Sequence, residues 1–123
     1  MPEKGTVLLL GQNIVFLGQV ENLAEPLGYT VKRATNEDRF WSVYEEGETT
    51  LILVDLEGDD STWTKVLEGI QAQGELDVHI VAFGPHEALD TMARARILGC
   101  DLVLSKGEFS RDLAKIIGEL GGR

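Results

Sequence analysis

A chain of 123 residues, 43% hydrophobic and 26% charged, can bury one real core, which excludes a disordered tract and leaves little room for a second domain. Its formal net charge is −10, and the only close basic pairs are Lys32 with Arg33 and Arg94 with Arg96, which argues against a nucleic-acid partner. No apolar run is long enough to span a bilayer and no signal peptide is legible, so a membrane is excluded and the cytoplasm is the expected location.

The predicted elements alternate between the two periods. Residues 6–10 (TVLLL) form a continuous apolar run, the pattern of a strand buried on both faces. Residues 14–27 follow with helical spacing at Val15, Phe16, Val20, Leu23 and Leu27; Gly28 is the expected C-terminal cap, and Pro26 predicts a distortion or early stop. Residues 29–34 (YTVKRA) alternate, as an edge strand would. Asn36 can cap a second helix, with Glu37 and Asp38 in its first turn and Phe40, Val43 and Tyr44 as its apolar stripe. Residues 50–54 (TLILV) are apolar throughout. Asp60 or Ser61 can cap a third helix, whose Trp63, Val66, Leu67 and Ile70 face inward. After a fourth strand at residues 78–83, Pro85 opens a helix with Leu89, Met92, Ala93, Ile97 and Leu98 toward the sheet. A fifth strand at residues 101–104 precedes a helix capped by Ser110 and carrying Leu113, Ile116, Ile117 and Leu120.

Five βα units predict an α/β doubly wound sheet, flavodoxin-like, with five parallel strands in the order 2-1-3-4-5 and helices on both faces. One domain covers residues 1–123, with its core at about 6–120, and the last residues read as a frayed tail.

Ligands of such sheets bind at the carboxyl ends of the strands. Asp55 ends a wholly apolar strand, and its partly desolvated carboxylate needs a cation or a donor. Lys106 ends the fifth strand in the same way. Either they form a phosphoacceptor and a lysine that senses the phosphoryl group, or they are a buried ion pair kept as a remnant. Glu57, Asp59 and Asp60 could rebuild a weak cation site with Asp55, but a solvated acidic loop that also caps the next helix is the preferred reading.

These residues carry a resemblance. From Thr6 to about Leu120 the chain resembles the receiver domain of two-component response regulators. The resemblance rests on the five βα units, on Asp55, on the segment Gly99-Cys100-Asp101-Leu102-Val103-Leu104-Ser105-Lys106, and on Phe109 leading into the last helix. It implies Asp55 as the phosphoacceptor equivalent and Lys106 as the lysine equivalent. It also exposes departures. Gly11 and Gln12 stand where receivers hold Mg²⁺ with two acidic residues. Gly84 (or Phe83, one residue earlier) stands where they have a switch hydroxyl. Val103 replaces the switch aromatic, and Gly107 replaces the proline after the lysine. Without those carboxylates a Mg²⁺ site loses most of its charge, so no cofactor is expected and Mg²⁺ is doubtful, with Asp55 and Glu57 as its weak candidates.

The expected function is therefore a pseudo-receiver, a protein-binding signalling module that is not an enzyme. Its partners would be a histidine kinase or a downstream effector. The resemblance points to the face of helix four, strand five and helix five, here carrying Asp90, Arg94, Arg96, Arg111, Asp112, Lys115 and Glu119, as the contact surface or as a homodimer interface. The alternatives are a working phosphoacceptor at Asp55, or a flavodoxin-like binder of a small ligand or cofactor; no G-x-G-x-x-G loop supports the latter. Cys100 reads as a buried thiol, His79 as a packed or edge residue, His86 as an exposed turn residue, and Trp41 and Trp63 as packing.

Overall fold

The computed structural model describes residues 4–74 and 77–121. Five strands, β1 (Gly5–Leu10), β2 (Tyr29–Ala34), β3 (Thr49–Asp55), β4 (His79–Gly84) and β5 (Leu102–Ser105), alternate with five helices, α1 (Ile14–Ala24), α2 (Glu37–Val43), α3 (Asp60–Ala72), α4 (Leu89–Ile97) and α5 (Lys106–Ile116). The strands pair in parallel in the order β2-β1-β3-β4-β5, as the alternation predicts. The central strands β1 and β3 are buried along their whole length, whereas the edge strands β2 and β5 are only partly covered.

Each face of the sheet has its own core. Leu8, Leu10, Ile52, Val54, Ile80 and Ala82 point to one side, under Phe40 of α2, Trp63, Val66, Leu67 and Ile70 of α3, and Met92 and Ala95 of α4. Val7, Leu9, Leu51, Leu53, Val81 and Phe83 point to the other, under Phe16, Val20 and Ala24 of α1, Phe109, Leu113 and Ile116 of α5, and Ile117 just beyond it. Each fully buried aliphatic side chain contributes about 1.5–3 kcal/mol, so these two layers carry the fold. On the second face three rings pack together: Phe83 stacks on Phe109 at 4.0 Å between centroids, and Phe16 meets them at 4.8 and 5.5 Å.

The helix ends mostly follow the sequence signals. Pro26 stops α1 early: the helix ends at Ala24, a 3₁₀ turn runs over Glu25–Leu27, and Gly28 closes it with φ of 99°, a left-handed conformation that suits glycine. Asn36 caps α2 by accepting from the Arg39 amide at 2.8 Å. Four expectations need correction. The α3 cap is Asp59, one residue before the predicted positions, and it accepts from the Ser61 amide at 3.1 Å. The α1 stripe is Phe16, Val20 and Ala24, leaving Val15, Leu23 and Leu27 exposed. Pro85 opens a turn rather than α4, which starts at Leu89 without a side-chain cap; Met92 and Ala95 face the sheet, while Leu89 and Ile97 are 70% and 78% exposed and Ala93 is exposed too. Finally, α5 starts at Lys106 and not after Ser110. Ser105 caps it in a capping box with Glu108, worth about 1 kcal/mol, and the helix passes into a π turn over Ile117–Gly121.

Candidate functional site

The carboxyl ends of β1, β3, β4 and β5 form one rim. Register sets Asp55 beside Phe83, and Gly84 beside Ser105, one step further out. Asp55 is the last residue of a strand whose other members are all apolar or threonine, so its carboxylate starts at the boundary of the core and is only 7% exposed. Its Oδ1 accepts from the Glu57 amide at 3.0 Å. Burial pushes its carboxyl above the usual carboxylate range, and the positive charge of Lys106 pulls the other way.

Lys106 corrects the sequence reading twice. It is the first residue of α5, not the last of β5, and its ammonium bonds Glu57 rather than Asp55. Both partners are partly exposed, so this ion pair adds little stability, about 0–1 kcal/mol. Its consequence is geometric. The Glu57–Lys106 bridge divides the rim into two open clefts. One, of about 460 Å³, is lined by Gln12, Asn13, Asp55, Glu57, Gly58 and Asp59. The other, of about 450 Å³, is lined by Glu57, Pro85, His86, Glu87, Ser105, Lys106 and Gly107.

The two glycines of the rim are not empty places. A Cβ built on Gly11 would lie 2.7 Å from Asp55 Cβ, so the Asp55 side chain fills the space that any residue at that position would need. A Cβ on Gly84 would lie 3.2 Å from the Cβ of Leu56, which is itself buried. The first two side chains at the end of β3 thus occupy the room left on β1 and β4. Below them, Leu10, Gly11, Gln12, Thr35, Asp55, Thr62 and Trp63 line a cavity of about 20 Å³, space for about one water. Val103 packs against the core of the α2, α3 and α4 face, and Gly107 has open space around it.

The donors present do not suit a divalent ion. Mg²⁺ asks for a near-octahedral set of oxygens, usually including carboxylates. Gly11 offers none, and Glu57 is committed to Lys106. Asp59, the third carboxylate of the loop, accepts from the Ser61 amide and from the hydroxyls of Ser61 and Thr62, and the Ser61 bonds hold its carboxyl below the usual range. Among the described residues no three His, Cys, Asp or Glu side chains gather in a metal-binding geometry.

The other singled-out residues fall as follows. His79 opens β4, half exposed, with Nδ1 3.8 Å from Asp101 Oδ2; His86 is exposed beside Glu87. Trp63 lies in the core, and Trp41 packs edge-on against Phe40 and Tyr44. Burial pushes the Cys100 thiol up to about 12, which leaves it unreactive. Of the residues expected on the face of α4, β5 and α5, Arg94 turns away: its guanidinium reaches Asp60 at 3.4 Å and lies 5.0 Å over the Trp63 ring. Arg111 pairs with its neighbour Asp112 at 2.9 Å. Sequence reasoning missed Glu57 as the partner of Lys106 and missed the Ser105 cap, although Ser105-Lys106-Gly107-Glu108 has the spacing of a capping box.

Among solved structures the chain is similar to a response regulator receiver protein from Pseudoalteromonas atlantica, with a TM-score of 0.78 at 13% identity over 96% of this chain and 99% of that one. The fold is that of a receiver domain. A response regulator from Burkholderia pseudomallei, with a phosphorylated aspartic acid, a calcium ion and citrate, matches with a TM-score of 0.73 at 23% identity over 94% of this chain and 66% of that one. A co-crystal structure of the Saccharomyces cerevisiae histidine phosphotransfer protein Ypd1 with the receiver domain of Ssk1 matches with a TM-score of 0.75 at 22% identity, over 98% of this chain and 91% of that one. No family model and no curated protein matches the sequence. At these identities the likeness speaks for the receiver fold and its architecture, and the rim must speak for the chemistry.

Proposed function

We infer that this chain is an atypical receiver domain of two-component or phosphorelay signalling, which binds other proteins without Mg²⁺-dependent phosphorylation and has no enzymatic turnover of its own. The observation that carries this reading is the filling of the rim: Asp55 stands where a side chain on Gly11 would stand, and Leu56 crowds Gly84. Phosphoryl transfer needs a metal to neutralise developing charge, and a receiver switch needs a hydroxyl to follow the phosphoryl group. Here the position on β1 carries no carboxylate, Glu57 is taken up by Lys106, and the position on β4 carries no hydroxyl.

The partner class follows from the receiver fold and from the surface. One similar structure is a receiver domain bound to a histidine phosphotransfer protein. A kinase, a phosphotransfer protein or a downstream effector is the corresponding partner here, within the cytoplasm. The contact face is that of α4, β5 and α5, where Leu89, Ala93 and Ile97 form an exposed apolar stripe beside exposed Leu102. Arg96, Lys115 and Glu119 flank it with both signs of charge, which suits one orientation of docking. The same face could pair with a second copy.

The test is incubation with a small-molecule phosphodonor and Mg²⁺, read by intact mass. The expected result is an unmodified chain. A stable added phosphoryl group that disappears in Asp55→Asn would establish the working phosphoacceptor instead.

A further inference from the structure

Three charged groups meet at the rim, and their connections are unequal. Lys106 is held at its backbone, because it is the first residue of α5 and the Ser105–Glu108 capping box fixes that helix start. Its ammonium bonds Glu57, and its charge also reaches Asp55. Glu57 is in turn joined to Asp55 through its own amide, which donates to Asp55 Oδ1. One cation therefore serves two carboxylates that leave the same turn, two residues apart. Gly11, at the end of β1, offers no side-chain donor, and a Cβ there would meet Asp55 Cβ at 2.7 Å.

We propose that Lys106 is the resident cation of this pocket, standing in for a divalent ion, and that Glu57 decides this by holding the ammonium over the Asp55 turn. The inference rests on reading the rim as a receiver pocket. It goes further by naming what replaced the metal and how the replacement can be undone. Removing the ammonium leaves Asp55 and Glu57 without a counter-charge beside an open cleft that Gln12 also lines, while Asn13 Oδ1 stays committed to the start of α1. Oxygen donors of this kind suit a hard divalent cation. The site is thus suppressed by its own lysine.

The probe is Mn²⁺, titrated into the full chain with free ion followed by electron paramagnetic resonance and with Mg²⁺ as competitor. The proteins are wild type, Lys106→Met, Lys106→Gln, Lys106→Arg and the double variant Lys106→Met/Glu57→Gln. Lys106 is partly exposed at a helix start, so all five should fold, and circular dichroism verifies it; Lys106→Gln serves if the methionine variant does not. Wild type and Lys106→Arg should show no saturable millimolar site. Lys106→Met and Lys106→Gln should gain one, bound at least about tenfold more tightly than anything in wild type. The double variant should lose it. A saturable site in wild type would overturn both this proposal and the metal-free function. Silence in both neutral variants would overturn the proposal alone and leave the function standing. Retention of binding in the double variant would overturn the role given to Glu57.

Discussion

The rim has two halves built from the same sheet but filled differently. On β3 and at the start of α5 the long charged side chains of Asp55 and Lys106 persist. On β1 and β4 the corresponding ends are glycines, Gly11 and Gly84. The backbone registers are regular in both halves, and Asp55 is level with Phe83 as a parallel ladder requires. The difference lies in side chains alone: one frame carries charged residues in one half of its rim and glycines in the other. The frame is carried by two apolar layers beneath the rim, and at the rim Asp55 and Leu56 lie close against Gly11 and Gly84.

If that is so, restoring a side chain should be costly, and most costly where the contact is tightest. Gly11→Asp places a Cβ 2.7 Å from Asp55 Cβ and a second carboxylate beside the first. Overpacking with like charge should destabilise by about 3 kcal/mol, read as a lower urea midpoint with an unchanged slope. Gly84→Thr meets Leu56 at 3.2 Å, a contact that the leucine can partly relieve, so the loss should be smaller, about 1–2 kcal/mol. A cost below about 0.5 kcal/mol at Gly11 would mean that Asp55 swings out freely and that the two halves differ only in sequence.

Most of the frame was legible. Continuous apolar runs at β1 and β3, alternation at β2 and the Gly28 stop all read correctly because burial on two faces, burial on one and a left-handed cap leave different sequence patterns. The α4 stripe misled. Of the expected residues Met92 is buried and Leu98 packs against the core, but Pro85 opens a turn before the helix, Leu89, Ala93 and Ile97 are exposed, and the unforeseen Ala95 completes the buried face. At the site, Asp55 and Lys106 were legible as residues and not as a pair. The spacing could not show that Glu57, two residues beyond Asp55, intercepts the lysine, because that depends on where α5 begins, and the Ser105 cap moves its start up to Lys106. Nor can a sequence show that a glycine is crowded. Gly107 has nothing within 4 Å of a built Cβ and Gly11 has Asp55 at 2.7 Å, yet both read as the same letter.

The smallest effect tests what Asp55 contributes where it stands. Asp55→Asn keeps the shape and an oxygen for the Glu57 amide but removes the charge. Because burial holds the Asp55 carboxyl above its usual range in the folded chain, protonation favours folding. At pH below the ordinary aspartate range both states are protonated, and wild type and variant should melt together. As pH rises through that range and then through the raised folded value, wild type pays for ionising a desolvated group while the variant does not. The variant should therefore melt higher at neutral pH, with a gap that closes on acidification; melting curves of both between about pH 3 and pH 7 measure it, and other groups cancel in the difference. The gap should be small, since the Lys106 charge offsets part of the burial cost. A wild type that melts higher at neutral pH would reverse that balance, making the attraction of Lys106 stronger than desolvation, and Asp55 would then be held in place by its charge and not in spite of it.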